Sequence, residues 1–257
     1  MIDTCWLVTA TSLISQSGIR RMMASTAVLN AIQELRQGRI VLVYDADGRE
    51  EETDMVVASE HTTPSVVRTF RKDAGGLICT TADTRIQKTL GLPFLTELFL
   101  GMAEHYPVMR SLIPNDIPYD VKSAFGITIN HRKTFTGITD EDRALTVKEF
   151  AELSRRALTS EDGWAKKEFG KNFRAPGHIH LLNTSEKILE SRFGHTELAT
   201  ALVIMAGLVP SATVCEMMAD DGKALSKEKA KSYGKKHEFV FLEGAEVVDA
   251  WKEFRNR

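Results

Sequence analysis

The chain has almost no cysteine. Cys5, Cys79 and Cys215 are the only three in 257 residues, and none stands in a CxxC pair. That excludes a disulfide framework and a cysteine-based zinc site, and it fits a reducing, cytoplasmic compartment. Net charge is nearly absent as well. The formal value of -2 gives no general electrostatic reason to bind nucleic acid or a membrane surface. No apolar run reaches the ~20 residues that span a bilayer. Internal repeats and low-complexity linkers are missing, so nothing in the composition divides the chain. No secretory signal is recognisable. Residues 1–17 are mildly apolar, but their positive charges, Arg20 and Arg21, follow the apolar part instead of preceding it. Residues 1–23 read as a poorly ordered extension, or as a misassigned start with the true beginning at Met22 or Met23.

What is present is the makeup of a globular protein, 43% hydrophobic and 26% charged. Ser25 or Thr26 caps an expected helix with apolar Val28, Ile32 and Leu35, closed by Gly38. Strands are expected over 39–44, 55–59, 77–80, 125–130, 178–182, 212–216 and 238–242. Helices are expected over 63–73, 145–157, 195–208, 226–236 and 245–254. Residues 83–122 hold Pro93, Pro107, Pro114 and Pro118, which predicts short helices and long connections. Residues 131–142 read as a polar turn region and residues 159–175 as an exposed excursion. The fold class is α/β (mixed α+β), a single domain over residues 24–257 with a mixed sheet flanked by helices.

The densest feature is acidic. Asp45, Asp47, Glu50, Glu51, Glu52 and Asp54 fall within ten residues, with Arg49 among them, between two apolar runs. Six carboxylates repel one another unless a cation is bound, and oxygen-rich ligands suit magnesium or manganese. The alternative is a solvated acidic turn. An EF-hand is excluded by the register of acids and glycine.

Two further constellations stand downstream. Arg192, Phe193, Gly194, His195 and Thr196 precede an apolar helix. Free N–H groups of its first turn, the helix dipole, Arg192 and the Thr196 hydroxyl together make a phosphate seat, with His195 beside it to reach a metal. The alternative is a helix cap with an exposed histidine. Glu216 ends a strand; it reads either as a general base in a cleft or as a solvent-facing strand end. His178 follows a tight turn and reads as structural or functional. Thr136 and Gly137, with Asp142 and Arg143, form a turn where a hydroxyl could meet a ligand. Cys79 reads as a buried, inert thiol, and Gly75-Gly76 as a helix stop.

In their order along the chain, six segments resemble the 3,4-dihydroxy-2-butanone 4-phosphate synthase family of riboflavin biosynthesis. They are Arg49-Glu50-Glu51-Glu52-Thr53-Asp54, Gly75-Gly76-Leu77-Ile78-Cys79, Thr136-Gly137-Ile138-Thr139, Arg174-Ala175-Pro176-Gly177-His178, Gly194-His195-Thr196-Glu197 and Cys215-Glu216-Met217. The stretch from Ile129 to Gly137 is most similar to archaeal members. Bacterial members commonly carry a glycine where this chain has Thr53. The cysteine signature of a fused GTP cyclohydrolase II is absent, so a monofunctional enzyme is expected.

The resemblance implies a lyase that converts D-ribulose 5-phosphate to L-3,4-dihydroxy-2-butanone 4-phosphate and formate. It implies Mg2+ or Mn2+, two ions per active site, held by Glu50 and His195. It makes Glu216, His178, Glu52 and Asp54 catalytic. Substrate contacts fall to Arg49, Glu50, Asp54, Thr136, Arg192, Phe193, Gly194, His195, Thr196 and Glu216. It also implies a homodimer with active sites near the interface, and no nucleic-acid or membrane partner. Asp45, Asp47 and Glu51 are then supporting or solvated charges. A metal-dependent sugar-phosphate isomerase, stopping at the enediol, is the alternative.

Overall fold

The computed structural model describes residues 25–161 and 163–256; the expected extension over residues 1–23 and the question of the start lie outside them. Helix α1 (Thr26–Arg36) is capped by Ser25, whose hydroxyl accepts from Val28 N, and it buries Val28, Ala31 and Leu35 on one stripe. Strands β1 (Val41–Tyr44) and β2 (Thr53–Ala58) form an antiparallel pair that carries the acidic loop between them. Thr63 caps α2 (Pro64–Thr69), which widens over Phe70–Ala74 and stops at Gly75, at φ 90°. Then come β3 (Cys79–Ala82), α3 (Thr84–Leu90), α4 (Leu95–Met102), α5 (Val108–Ser111) and β4 (Phe125–His131). The second half holds α6 (Asp140–Ala157), α7 (Trp164–Asn172), β5 (Phe173–Asn183), α8 (His195–Met205), β6 (Ala212–Glu216), α9 (Lys227–His237), β7 (Phe241–Glu243) and α10 (Gly244–Arg255).

The strands make one mixed sheet in the order β4-β5-β3-β6-β2-β1-β7. The pairs β3–β5 and β1–β7 are parallel and the rest antiparallel. Both faces are covered. Leu42, Met55, Val57 and Cys215 face a core built with Val67, Phe70, Val147 and Phe150. Val41, Val43, Val56 and Val214 face the other, built with Leu35, Leu198, Leu202 and Trp251. This two-residue alternation, with both sides buried, explains why β1 and β2 read as unbroken apolar runs. Among the described residues no helix is long and apolar enough to cross a membrane.

The structure corrects several expected elements. Residues 159–175 are not an exposed excursion: α7 and the start of β5 lie there. Ala165 and Phe173 are buried, and Trp164 and Phe169 pack on the core. Helix α6 starts at Asp140, not Leu145, because Thr139 caps it and Asp140, Glu141 and Asp142 sit favourably at the positive end of the dipole. Strand β3 begins two residues later than expected and β7 three. Strand β2 begins at Thr53, which draws Asp54 out of the loop and into the sheet.

Candidate active site

Antiparallel pairing brings distant chain ends together. The end of β1, the start of β2 and the end of β6 lie side by side, with Asp54 paired directly to Glu216. Cys79, at the start of β3, pairs with Val214 on the other flank of β6. The N-terminus of α8 arrives at the same place, since His195 bonds to the acidic loop. A cavity of about 360 Å³ opens here, lined by Glu50, Asp54, Cys79, Arg192, His195 and Glu216 among others.

The acidic loop folds around Asp45. This carboxylate is buried and accepts from Arg49 Nη1 (3.0 Å), Glu50 N (3.0 Å) and Glu52 N (3.1 Å). Asp45 is therefore a loop organiser rather than a solvated charge. Asp47 and Glu51 face outward, bonded to the Tyr44 hydroxyl and Gly48 N. The turn leaves Glu50, Glu52 and Asp54 beside His195. Glu50 Oε2 lies 3.0 Å from His195 Nδ1. His195 Nε2 lies 3.2 Å from the Glu52 carbonyl and 3.7 Å from Asp54 Oδ1.

Glu216 is held from the side of β3. Its Oε2 accepts from Leu77 N at 2.6 Å. A Cβ on Gly76 would lie 2.7 Å from the Glu216 carbonyl oxygen. Gly75 does stop a helix, but Gly76 also makes room for Glu216. The expected helix-stop reading of the pair was incomplete.

At the start of α8, Gly194 is the N-cap and lets two guanidinium groups close in. A Cβ there would lie 2.6 Å from Arg49 Nη2 and 2.7 Å from Arg192 Nη1. The side chain of Thr196 borders the cavity. Arg192 also pairs with buried Glu197 at 2.5 Å, and Glu197 accepts from Ser185 N.

Burial dominates the electrostatics. It pushes the Asp54 carboxyl well above the usual carboxylate range, and Glu216, Glu50 and Glu52 push the same way against the pull of His195. Burial, then the charges of Glu50 and Glu216, also raise Glu52. Glu50 goes down: burial works against its charge, but the His195 bond and nearby cations outweigh it. Burial alone would lower His195, yet Asp54, Glu50 and Asp45 hold it up at about 9. Burial and the neighbouring carboxylates keep the Cys79 thiol neutral.

The residues fit a divalent cation. Asp45, Glu50 and His195 each offer a ligand atom within 4.8 Å of the others. Two carboxylates and an imidazole suit a hard to borderline metal. The buried Asp54 Oδ1 has no hydrogen-bond partner of its own, and an acceptor left in that state is one a cation would satisfy.

The expected residues divide into two groups. Arg49, Glu50, Glu52, Asp54, Arg192, Gly194, His195, Thr196 and Glu216 meet at or beside the cavity. Thr136, His178 and the half-exposed Phe193 do not line it within this chain. Thr136 and His178 form a separate polar cluster on Asn130. Asn130 Oδ1 accepts from His178 N (2.9 Å), and Asn130 Nδ2 donates to His178 Nδ1 (3.1 Å) and to the Thr136 carbonyl (3.3 Å). The sequence reading missed Asp120, which bridges Arg49 and Arg192, and Tyr119, whose ring centroid lies 5.3 Å from the Arg49 guanidinium. Both stand in an irregular stretch with no motif to mark them.

Residues 29–250 match the family model of 3,4-dihydroxy-2-butanone 4-phosphate synthase. The enzyme of that name from Methanothermobacter thermautotrophicus is 48% identical, over 89% of this chain and 97% of its own. The crystal structure of the Candida albicans enzyme superposes with a TM-score of 0.66 at 26% identity, covering 87% of this chain and 96% of that one. A synthase structure described as a complex with two magnesium ions superposes with a TM-score of 0.69 at 22% identity, over 87% and 95%. The chain therefore belongs to the 3,4-dihydroxy-2-butanone 4-phosphate synthase family.

Proposed function

We propose that the protein is a lyase that converts D-ribulose 5-phosphate to L-3,4-dihydroxy-2-butanone 4-phosphate and formate in riboflavin biosynthesis. The observation that carries this is the meeting, around one cavity, of Arg192 and Thr196 at the start of α8, the Asp45, Glu50 and His195 cluster, and the carboxylates of Asp54 and Glu216. Removing a proton next to a carbonyl, losing water and expelling a carbon all require proton transfers at fixed places.

Arg192, Thr196 and the free N–H groups of the first turn of α8 hold the phosphate. Arg49 and Asp54 address the sugar hydroxyls. Glu50 and His195, with Asp45 behind them, would hold magnesium or manganese; a bound divalent ion polarises sugar oxygens and stabilises enediolate charge. The surplus of carboxylates supports two ions per site. Asp54, whose carboxyl burial raises well above the usual carboxylate range, is the proton donor. Glu216, fixed by Leu77 N–H, is the acid/base facing the substrate carbons, and Glu52 stands behind as a further proton carrier.

The reading extends to a homodimer. Thr136 and His178 lie apart from the cavity, beside the strongly exposed Phe135 and the exposed Ile138. Exposed apolar side chains around a polar cluster favour a partner surface. We assign Thr136 and His178 to the site of the partner subunit. Residues 24–257 form the catalytic domain, and buried thiols at Cys79 and Cys215 suit the cytoplasm.

Release of labelled formate from C4-labelled ribulose 5-phosphate tests the reaction. Label recovered only in isomeric pentose phosphates would replace the lyase with an isomerase.

A further inference from the structure

Arg49 and Arg192 converge over the N-terminus of α8, and both side chains are nearly buried. Like charges this close, above the positive end of a helix, demand an anion. Asp120 supplies it. Its Oδ2 alone takes Arg49 Nη2 at 2.7 Å, Arg192 Nε at 2.8 Å and Arg192 Nη2 at 2.6 Å. One oxygen receiving three guanidinium N–H groups is the pattern expected of a phosphate oxygen.

The other carboxylates on these arginines are built into the frame. Asp45 is held by loop amides, Glu50 by His195, and Glu197 is buried in α8. Asp120 comes instead from residues 112–124, which contain no helix or strand. The same stretch roofs the cavity with Pro114, Ile117 and Tyr119.

We propose that Asp120 is an internal stand-in for the substrate phosphate, and that an incoming phosphate displaces it and releases residues 112–124 from the two arginines. The inference rests on the reading of Arg192 and Thr196 as the phosphate seat. A phosphate dianion placed beside Asp120, Glu50 and Glu197 would add two charges to three. Only the anion on the irregular stretch can leave, so binding and release are coupled. A lone carboxylate ligand gains little over Asp120 itself, which makes the exchange selective for phosphate esters.

Inorganic phosphate is the probe. Calorimetric titration of wild type, D120N, D120A and R192Q should show phosphate binding about tenfold tighter in both Asp120 variants, because the competing state is gone. R192Q should bind it at least tenfold more weakly. In the wild type, hydrogen exchange across residues 112–124 should speed up when phosphate saturates. Equal or weaker binding in the Asp120 variants, with R192Q impaired, overturns the stand-in and leaves the seat. Undiminished binding in R192Q overturns both. Slower exchange across residues 112–124 with phosphate also overturns the stand-in, since the stretch would then be closing on the anion.

Discussion

Asp54 and Glu216 occupy directly paired positions on antiparallel strands β2 and β6, two carboxylates across one rung of a buried sheet. A like-charged cross-strand pair costs stability. Burial, with Glu216 adding to it, keeps the Asp54 carboxyl well above its ordinary value. The sign follows. The fold binds a proton that the unfolded chain releases at about pH 3.9, so stability falls as pH rises above that value. Asp54→Asn removes the ionisation. Metal-free Asp54→Asn should be more stable than wild type at pH 8 by about 1 kcal/mol or more, some 2–4 °C in Tm. It should lose activity at the same time, a trade common at strained sites. Thermal melts from pH 5 to pH 8 check this; parallel pH profiles for the two proteins would refute the account.

Gly76 tests how tightly Glu216 is placed. A methyl group there meets the backbone carbonyl of Glu216 at 2.7 Å and its side chain too. The strand end must shift, and a 1 Å displacement at a reacting group costs on the order of 100-fold. Gly76→Ala should lower kcat by about that factor while substrate affinity stays within a few-fold. Glu216→Gln keeps the shape and removes the proton chemistry, so its kcat should fall by about 100- to 10,000-fold. Steady-state formate release with a separate binding titration measures both. Normal turnover in Glu216→Gln removes that residue from the acid/base role.

His195 couples metal binding to pH. Asp54, Glu50 and Asp45 prevail over burial and hold its imidazolium up to a pKa of about 9. A metal needs the neutral ring, so protons compete with it. Apparent Mn2+ affinity should rise by up to about tenfold per pH unit between pH 6 and pH 9, then level off. His195→Ala should bind Mn2+ at least ~100-fold more weakly and lose that slope. Calorimetry in buffers of different ionisation enthalpy reads the proton released. A flat profile would show that His195 is not a ligand.

The sequence carried those parts of the site whose residue types act locally. Acids between two apolar runs, glycine before a helix and a glutamate ending a strand each follow from short-range chemistry. Pairing was not legible: nothing near Asp54 announces Glu216, because β6 reaches β2 across a long stretch of chain. Asp120 was missed for a related reason. Residues 112–124 have no periodicity, and Asp120 matters only because two arginines from other elements arrive at it. Helix α7 was missed because its buried face is small, Ala165 with the half-buried Trp164 and Phe169, among lysines that read as surface.

His178 does not line the cavity that Glu216 lines, and its assignment to the partner's site can be measured. Its Nδ1 accepts from Asn130, which leaves the Nε2 N–H free to donate. If the partner subunit uses this donor, each active site needs Glu216 from one chain and His178 from the other. His178→Ala and Glu216→Gln homodimers should both be nearly inactive. Mixed, unfolded and refolded together, half the dimers are heterodimers, and one of the two sites in each is intact. About a quarter of wild-type activity should return, with unmixed controls staying flat. No recovery, with heterodimers verified by mass, would place His178 in the site of its own chain or outside the chemistry altogether.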